Sequence, residues 1–294
     1  MAAGVFGLVK ESGRNWVADK APRLSAATAF YTILSLAPLL VISVSIAGLV
    51  FGSGAAREGL IKQFQELAGP SAAGAVEEML SHASKPADGA MAIIIGVVTL
   101  LIGASGVFGE LQDAFNTVWH CPPPQHGGFL RMVKDRFLSF AMVLCVGFLL
   151  LVSLVVSTAL SGMGDYLSER IPGMTMLMRL VELLVSFGIV TVLFALMFKY
   201  LPDCPVPWRE SLTGAAVTAV LFTIGKYLIG LYLGKAAVAT PFGAAGSLVA
   251  LVVWVYYSAM ILFFGAELTQ QITHRQHPEL GRNRADAPMP LGTF

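Results

Sequence analysis

Long apolar stretches with few or no charges alternate with short polar segments along this chain of 294 residues. A helix needs about 20 mostly apolar residues to cross about 30 Å of hydrocarbon, at about 1.5 Å per residue. Six stretches meet that requirement: residues 26–51, 90–109, 137–161, 177–201, 212–233 and 244–268. The pattern therefore predicts an all-α integral membrane protein, with one six-helix transmembrane domain over residues 26–268.

The polar segments outside the spans are too short to form separate domains. In the longest, residues 52–89, apolar residues recur at spacings of three and four on both sides of Pro70. This periodicity predicts an outer hairpin of two short amphipathic helices, which either covers the outer end of the bundle or forms a lid over a cavity.

The two ends of the chain differ from each other. Residues 1–25 mix aromatic and basic side chains, which favours a helix lying in the cytoplasmic interface, although a plain cytoplasmic collar fits equally well. Residues 269–294 are polar and become rich in Pro and Arg, so a partly disordered cytoplasmic tail is expected.

Basic residues set the expected orientation, because Lys and Arg near a span resist translocation. Twelve of the nineteen Lys and Arg residues fall on the side that holds both termini, and seven fall on the other side. Both termini are therefore predicted to be cytoplasmic, in a bacterial inner membrane that the chain crosses several times.

Composition narrows the possible functions. Only 13% of the residues are charged and the net charge is +1, so a nucleic-acid partner is not expected. Cys121 and Cys204 lie in different loops and Cys145 lies in the third span, so reduced thiols are expected. Membrane lipids are the expected partners, and weak small-residue patterns allow a homo-oligomer.

Motifs for catalysis, cofactors and metals are absent from the sequence. There is no phosphate-binding loop, no nucleophile elbow and no zinc-binding helix. His274 and His277 lie three residues apart in the polar tail without metal-type neighbours, and solvated side chains are expected there. We therefore expect no enzyme activity, no cofactor and no metal.

Two opposite charges fall inside neighbouring spans, where charge is costly. Counting inward from the outer ends places Glu182 about 8 Å deep and Lys226 about 10 Å deep, at about 1.5 Å per residue. The matched depth predicts an ion pair, with Arg179 and Tyr227 as further partners. The pair either ties the helices together or forms part of a polar cavity.

Further residues stand out along the spans. Pro38 is predicted to kink the first span or to end a half-helix there. Aromatic residues at Tyr31, Tyr200, Trp254 and Tyr256 are predicted to line a cavity or to lie at the interface. Polar residues at the inner ends are predicted either to form a network or only to anchor the helices: Glu110, Asp113, Asn116, Lys199 and Glu267, together with Gln112 and Asp203.

The order and spacing of several motifs resemble the YihY/virulence factor BrkB family of UPF0761-like inner-membrane proteins. The motifs that carry the resemblance are Ala29-Phe30-Tyr31, Ser35-Leu36-Ala37-Pro38, Leu111-Gln112, Asn116, Trp119, Tyr200-Leu201-Pro202, Val206-Pro207-Trp208, Gly214-Ala215, Gly246, Trp254, Tyr256 and Gly265-Ala266-Glu267. The resemblance implies six spans with both ends in the cytoplasm, in agreement with the charge count.

The resemblance also implies a role in envelope integrity and in moving a lipid or another amphiphile. Some family members carry a label as a ribonuclease, but this sequence lacks the clustered His and Asp residues that such a metal-dependent nuclease requires. The leading hypothesis is a protein that transports or flips a lipid or amphiphilic solute. The alternative is a membrane scaffold for envelope-assembly partners.

Overall fold

The computed structural model describes residues 2–83, 106–121, 174–235 and 245–277, and the described part of the chain is helical with short connections. An N-terminal helix, α1 (Ala2–Ala18), precedes the long helix α2 (Ala21–Phe51). Two shorter helices follow, α3 (Ser53–Ala68) and α4 (Pro70–Ala83). The described part of α5 covers residues 106–118. Three long helices complete the bundle: α6 (Met174–Tyr200), α7 (Trp208–Lys235) and α8 (Gly246–Gln276).

Three of these helices are long and apolar enough to cross a membrane, judged by length and composition over the described residues. The qualifying segments are Leu183–Tyr200, Trp208–Leu233 and Gly246–Gln276. They correspond to the fourth, fifth and sixth predicted spans. The helix predicted over 26–51 is also present, as α2, while the third span and most of the second lie outside the described residues. The six crossings and their orientation stay predictions.

The two helices predicted on either side of Pro70 are present, as α3 and α4, while their location on the outer side of the membrane stays a prediction. Gly52 and Gly69 have φ of 84° and 86°, a backbone conformation that glycine adopts easily, and they separate α2 from α3 and α3 from α4. Val76 and Leu80 of α4 are buried in a cluster with Leu36 of α2 and Leu251 of α8. The apolar faces read from the sequence therefore pack against the bundle.

The boundaries differ from the predicted ones at three places. α2 continues through Pro38, so the predicted end of a half-helix there is wrong; a single proline removes one backbone donor, and the flanking residues Leu36 and Leu40 are buried against the bundle. α7 begins at Trp208, four residues before the predicted span. α8 continues to Gln276, so residues 269–276 belong to a packed helix and not to the tail.

A cluster of aromatic rings joins four helices, α5 to α8, toward the end of the bundle where α1 lies, here called the α1 end. Phe115 of α5 lies 5.8 Å from Phe198 of α6 and 5.9 Å from Phe263 of α8, between ring centroids. Phe194 of α6 lies 5.6 Å from Phe222 of α7. Burial of these rings, with Trp119 beside them, forms the apolar core of this end.

Glycines allow α7 and α8 to approach closely. A Cβ atom added at Gly214 of α7 would lie 1.8 Å from Oγ1 of Thr269, and one added at Gly265 of α8 would lie 2.1 Å from Oγ1 of Thr218. Each threonine hydroxyl donates to the carbonyl of the glycine four residues earlier in its own helix. Thr218 donates to Gly214 and Thr269 donates to Gly265, both at 2.7 Å. The two helices thus exchange the same glycine and threonine contact, as small residues permit in a membrane.

We predict that Gly265→Ala lowers the free energy of unfolding by about 1–3 kcal/mol, because the new methyl group overlaps the buried Thr218 side chain. Gly230→Ala on α7 is the matched control, since a Cβ atom there meets nothing within 4 Å. The measurement is thermal unfolding in detergent followed by tryptophan fluorescence. Equal melting temperatures for the two variants would contradict the close packing.

Candidate functional site

A buried carboxyl group lies between the helices at the α1 end of the bundle. Glu267, near the end of α8, has 0% of its surface exposed. No N–H or O–H donor of the described residues bonds to either of its carboxyl oxygens, or to Oδ2 of Asp19. The neighbouring polar group is the carboxyl of Asp19, which lies close enough for its charge to act on Glu267. Two ionised carboxylates repel each other and cannot donate to each other, whereas a proton on the pair removes the repulsion and supplies a donor.

Within the described residues, no Lys or Arg forms an ion pair with either carboxyl group. The ion pair that Asp19 forms there is with a histidine: Nε2 of His120 lies 3.6 Å from Oδ1 of Asp19. An unpaired carboxylate away from water is costly, so buried acids are normally matched by a cation, a metal or a proton. The described residues contain no group of three or more His, Cys, Asp or Glu placed to hold a metal ion. A shared proton would neutralise this pair without a cation or a metal.

His120 connects the carboxyl pair to the surface. Its Nδ1 lies 2.8 Å from Nε2 of Gln270 on α8. With the amide donating, Nδ1 accepts and the proton of the neutral ring is on Nε2, which faces Asp19. Exposure rises along the series: 0% for Glu267, 15% for the Asp19 side chain and 53% for the His120 side chain. The three groups thus lie in order of increasing exposure, from the interior of the bundle to its surface.

Local backbone structure fixes His120 at this place. The C-terminus of α5 ends in a Schellman motif, in which the N–H of His120 donates to Thr117 and the N–H of Cys121 donates to Asn116. His120 occupies the left-handed position of that motif with φ of 51°, where glycine is the usual residue. The imidazole is thereby directed from the end of α5 toward α1 and α8.

A second buried acid, Glu210, also contacts a histidine. Glu210 in the first turn of α7 is 3% exposed, and its Oε1 lies 3.3 Å from Nε2 of His277, which caps the C-terminus of α8. Helix dipoles favour a negative group at the start of α7 and a positive group at the end of α8. The expectation that His277 is solvated is wrong, because the tail residue lies half-buried against α7.

Side-chain hydrogen bonds dock the connection between α6 and α7 onto α5. Asp203 accepts from Nε2 of Gln112 at 3.0 Å and from Nδ2 of Asn116 at 2.8 Å. Its own backbone N–H donates to Oδ1 of Asn116 at 2.8 Å. Asn116 thus bonds to one residue through both halves of its amide, so the connection is held in one register beside His120.

A disulfide bond crosses the same contact. Cys121 and Cys204 are covalently joined, with Cα atoms 5.6 Å apart and a separation of 83 positions in the sequence. The expectation of reduced thiols for these two cysteines is wrong. Two loops that are distant in sequence meet here because α5 and α6 end, and α7 begins, at this end of the bundle.

The inner polar residues predicted from the sequence divide into separate groups. Asn116 belongs to the docking contact, and Glu267 to the carboxyl pair. Lys199 donates to the carbonyl of Val206 and lies 5.8 Å from the centroid of the Trp208 ring. Glu110 lies beyond the predicted second span; partial burial raises the pKa of its carboxyl, the charge of Asp113 raises it further, and Arg23 opposes both. A single network through all of them is not present among the described residues.

The predicted ion pair of the fourth and fifth spans stays a prediction. The side chains of Glu182 and Arg179 lie outside the described residues, although both belong to α6. Lys226 is half-buried on α7, and its Nζ lies 5.3 Å from the centroid of the neighbouring Tyr227 ring. The side chain of Pro38 is likewise outside the described part, so a kink there is also untested.

The four predicted aromatic residues occupy different surroundings. The Tyr31 ring lies against Gly106 of α5, where an added Cβ would be 2.8 Å away. Tyr200 is 47% exposed and contacts the edge of Trp208. Trp254 packs against the cluster formed by α2 and α4. Tyr256 lines an open apolar groove between α7 and α8, of about 370 Å³, together with Leu228, Ile229, Tyr232, Val253, Tyr257 and Met260.

Apolar spanning helices with a buried acidic site at one end define an integral membrane protein, and the comparisons with known proteins identify its family. The chain belongs to the Virulence factor BrkB family, whose model matches residues 13–290. It is 30% identical over 259 residues to a UPF0761 membrane protein of Pseudomonas aeruginosa (strain UCBPP-PA14), covering 86% of this chain and 59% of that protein.

Other relatives agree with this assignment. A UPF0761 membrane protein of Halorhodospira halophila is 25% identical over 270 residues, covering 90% of this chain and 58% of the relative. One of Azotobacter vinelandii is 28% identical over 258 residues, with 86% and 60% covered. The chain thus spans somewhat less than two thirds of the length of these curated relatives. No solved structure matches it.

We predict that Asp203→Ala lowers the free energy of unfolding by about 1–2 kcal/mol, because it removes two hydrogen bonds to a carboxylate, which are worth up to about 3 kcal/mol each when well shielded from water. The expected fall in melting temperature is about 2–4 °C per kcal/mol. Asp113→Ala is the control, an exposed carboxylate on α5 that repels Glu110. If both variants melt like the unaltered protein, the docking contact contributes nothing to stability.

Proposed function

We propose that this protein moves a lipid or an amphiphilic solute across a bacterial inner membrane, in envelope maintenance, and that the carboxyl pair of Asp19 and Glu267 couples the movement to protons. The observation that carries the proposal is the complete burial of Glu267 beside a second carboxyl, with no Lys or Arg ion pair to either among the described residues. Ionisable groups in such surroundings are expensive and are retained at ion and substrate pathways.

The apolar groove between α7 and α8 supports an amphiphilic cargo. Its lining is aliphatic and aromatic, which suits a hydrocarbon chain, and the groove is open and not enclosed. Met260 of the groove and Glu267 lie seven residues apart on α8, which corresponds to about 10 Å at 1.5 Å per residue. A chain held in the groove is therefore close enough to respond to a rearrangement of the helix that carries the acid.

Proton exchange supplies the energy in this proposal. The sequence contains no nucleotide-binding motif, so an ion gradient or downhill movement is the expected driving force. The series from Glu267 through Asp19 to His120 provides groups that bind and release protons at increasing exposure. Protonation of His120 would require the Gln270 amide to turn, because its Nε2 now donates to Nδ1. Turning would also break the hydrogen bond that Oε1 of Gln270 accepts from Nε2 of Gln271, the next residue of α8, at 3.3 Å.

The alternative function is a membrane scaffold for envelope-assembly partners. The close glycine and threonine packing of α7 and α8 favours it, because a tightly interlocked pair resists the rearrangement that transport requires. The two functions differ in a measurable way, since a scaffold carries no flux of its own.

We expect vesicles that contain the protein to exchange a fluorescent phospholipid between leaflets faster than empty vesicles, and an imposed pH gradient to change the rate. Glu267→Gln should lower the rate by about tenfold or more, equivalent to about 1.4 kcal/mol in the barrier, and should abolish the response to pH. The amide of glutamine can still donate to Asp19, so the fold should be retained.

Glu58→Gln on α3 is the control, because that carboxylate is exposed and remote in sequence from the site. A rate for Glu267→Gln equal to that of the unaltered protein would remove the carboxyl pair from the mechanism. No exchange by the unaltered protein, with any lipid tested, would favour the scaffold.

A further inference from the structure

The disulfide between Cys121 and Cys204 lies directly beside the carboxyl site. Cys121 follows His120 in the chain, and His120 contacts both Asp19 and Gln270. Cys204 follows Asp203, which accepts the hydrogen bonds from α5. The covalent link therefore joins Cys121, the residue next to His120, to the connection between α6 and α7.

The chemical environment predicted for this end of the bundle argues against a permanent bond. The distribution of Lys and Arg predicts that the loops holding Cys121 and Cys204 are cytoplasmic. Thiols are kept reduced in that compartment, and disulfides that form there are usually transient or redox-sensing. A disulfide at this place is thus expected to open and close with the redox state of the cell.

The backbone next to the disulfide is expected to loosen when the bond opens. His120 holds a left-handed conformation that costs a non-glycine residue about 1–2 kcal/mol. The Schellman hydrogen bonds, the contacts of the imidazole and the covalent bond at Cys121 together maintain it. Opening the disulfide removes one of these restraints, while Asn116 and Asp203 still hold the connection to α5.

We propose that Cys121 and Cys204 form a reversible dithiol and disulfide centre that fixes His120 against Asp19 when oxidised and loosens it when reduced. Oxidation by a small-molecule disulfide, of which glutathione disulfide is an example, converts the two thiols into one disulfide and releases two molecules of the small thiol. Reduction runs in the opposite direction. The first small thiolate attacks Cys121 Sγ, which is less buried than Cys204, and Cys204 leaves as a thiolate.

The redox centre would regulate the same carboxyl site, so its consequence for transport rests on the proposed function. The redox chemistry itself does not depend on transport. It can therefore be measured separately, first on the thiols and then on the backbone around His120.

The test uses the full-length chain with Cys145→Ser, so that the two remaining cysteines are those of the centre. The purified protein is equilibrated in buffers of graded glutathione and glutathione disulfide, and free thiols are counted by alkylation and intact-mass measurement. We expect zero labels at the oxidising end, two at the reducing end, and full reversal. A disulfide that persists until the protein unfolds, or two thiols that stay free in every buffer, would overturn the proposal.

Hydrogen exchange then tests the effect on the site. Reduction should speed amide exchange over residues 117–121 by about tenfold, the factor that corresponds to losing about 1.4 kcal/mol of local protection. Exchange within α7 should stay unchanged, and protein with both Cys121→Ser and Cys204→Ser should match the reduced form in either buffer. Equal exchange in both states would show that the bond does not restrain His120.

Lipid exchange in vesicles separates the inference from the proposed function. Rates that differ between oxidised and reduced protein, and not in the double serine variant, support both. Redox-dependent hydrogen exchange without any lipid exchange supports the centre and removes the transport function. Lipid exchange that is identical in both redox states overturns the regulatory role of the centre.

Discussion

The close contact between α7 and α8 is the constraint on which the α1 end of the bundle depends. Apolar side chains gain little by leaving lipid for one another, so helices in a membrane associate through shape and hydrogen bonding. Here each helix offers a glycine to the threonine of the other, and both threonine hydroxyls are satisfied within their own helices. The backbones can then approach without burying an unpaired donor.

That contact also determines where the acid lies. Glu267 follows Gly265 by two residues on α8, so the glycine that admits Thr218 sets the depth and rotation of the carboxyl. Gln270 lies one turn further along the same helix and reaches His120. The polar residues of the last turns of α8 are buried by α1, by α7 and by the end of α5. The apolar helix α8 therefore ends in a polar site, and the amphipathic helix α1 covers that site.

Much of the helical pattern could be predicted because it depends on local periodicity. The apolar stretches predicted α2 and the long helices α6, α7 and α8, and the spacing around Pro70 predicted α3 and α4. The errors came from residues whose state is set by distant parts of the chain. Thr269 and Gln271 look like a solvated tail by composition, but they are buried because α8 continues under α1.

The site was harder to predict for the same reason. Glu267 and Asn116 were recognised because polar groups at the end of a span are conspicuous, whereas Asp19, His120 and Glu210 lie in ordinary polar segments. No spacing rule connects Asp19 to Glu267, or Cys121 to a cysteine 83 residues later. His120 offered one signal, since a helix that ends without glycine must place another residue in the left-handed position.

The N-terminal helix α1 covers the buried acid at the end of α8. Glu267 is covered by α1, and Arg275 of α8 contacts Glu11 of α1 at 3.1 Å, so the N-terminal helix closes the site. On its outer side α1 exposes Phe6, Val9 and Val17, with Lys10 and Arg14 also exposed. A helix with this composition suits the boundary between lipid and water. The acid therefore lies beneath a helix whose exposed face suits the membrane surface, and Asp19, which follows that helix directly, depends on α1 for its place beside Glu267.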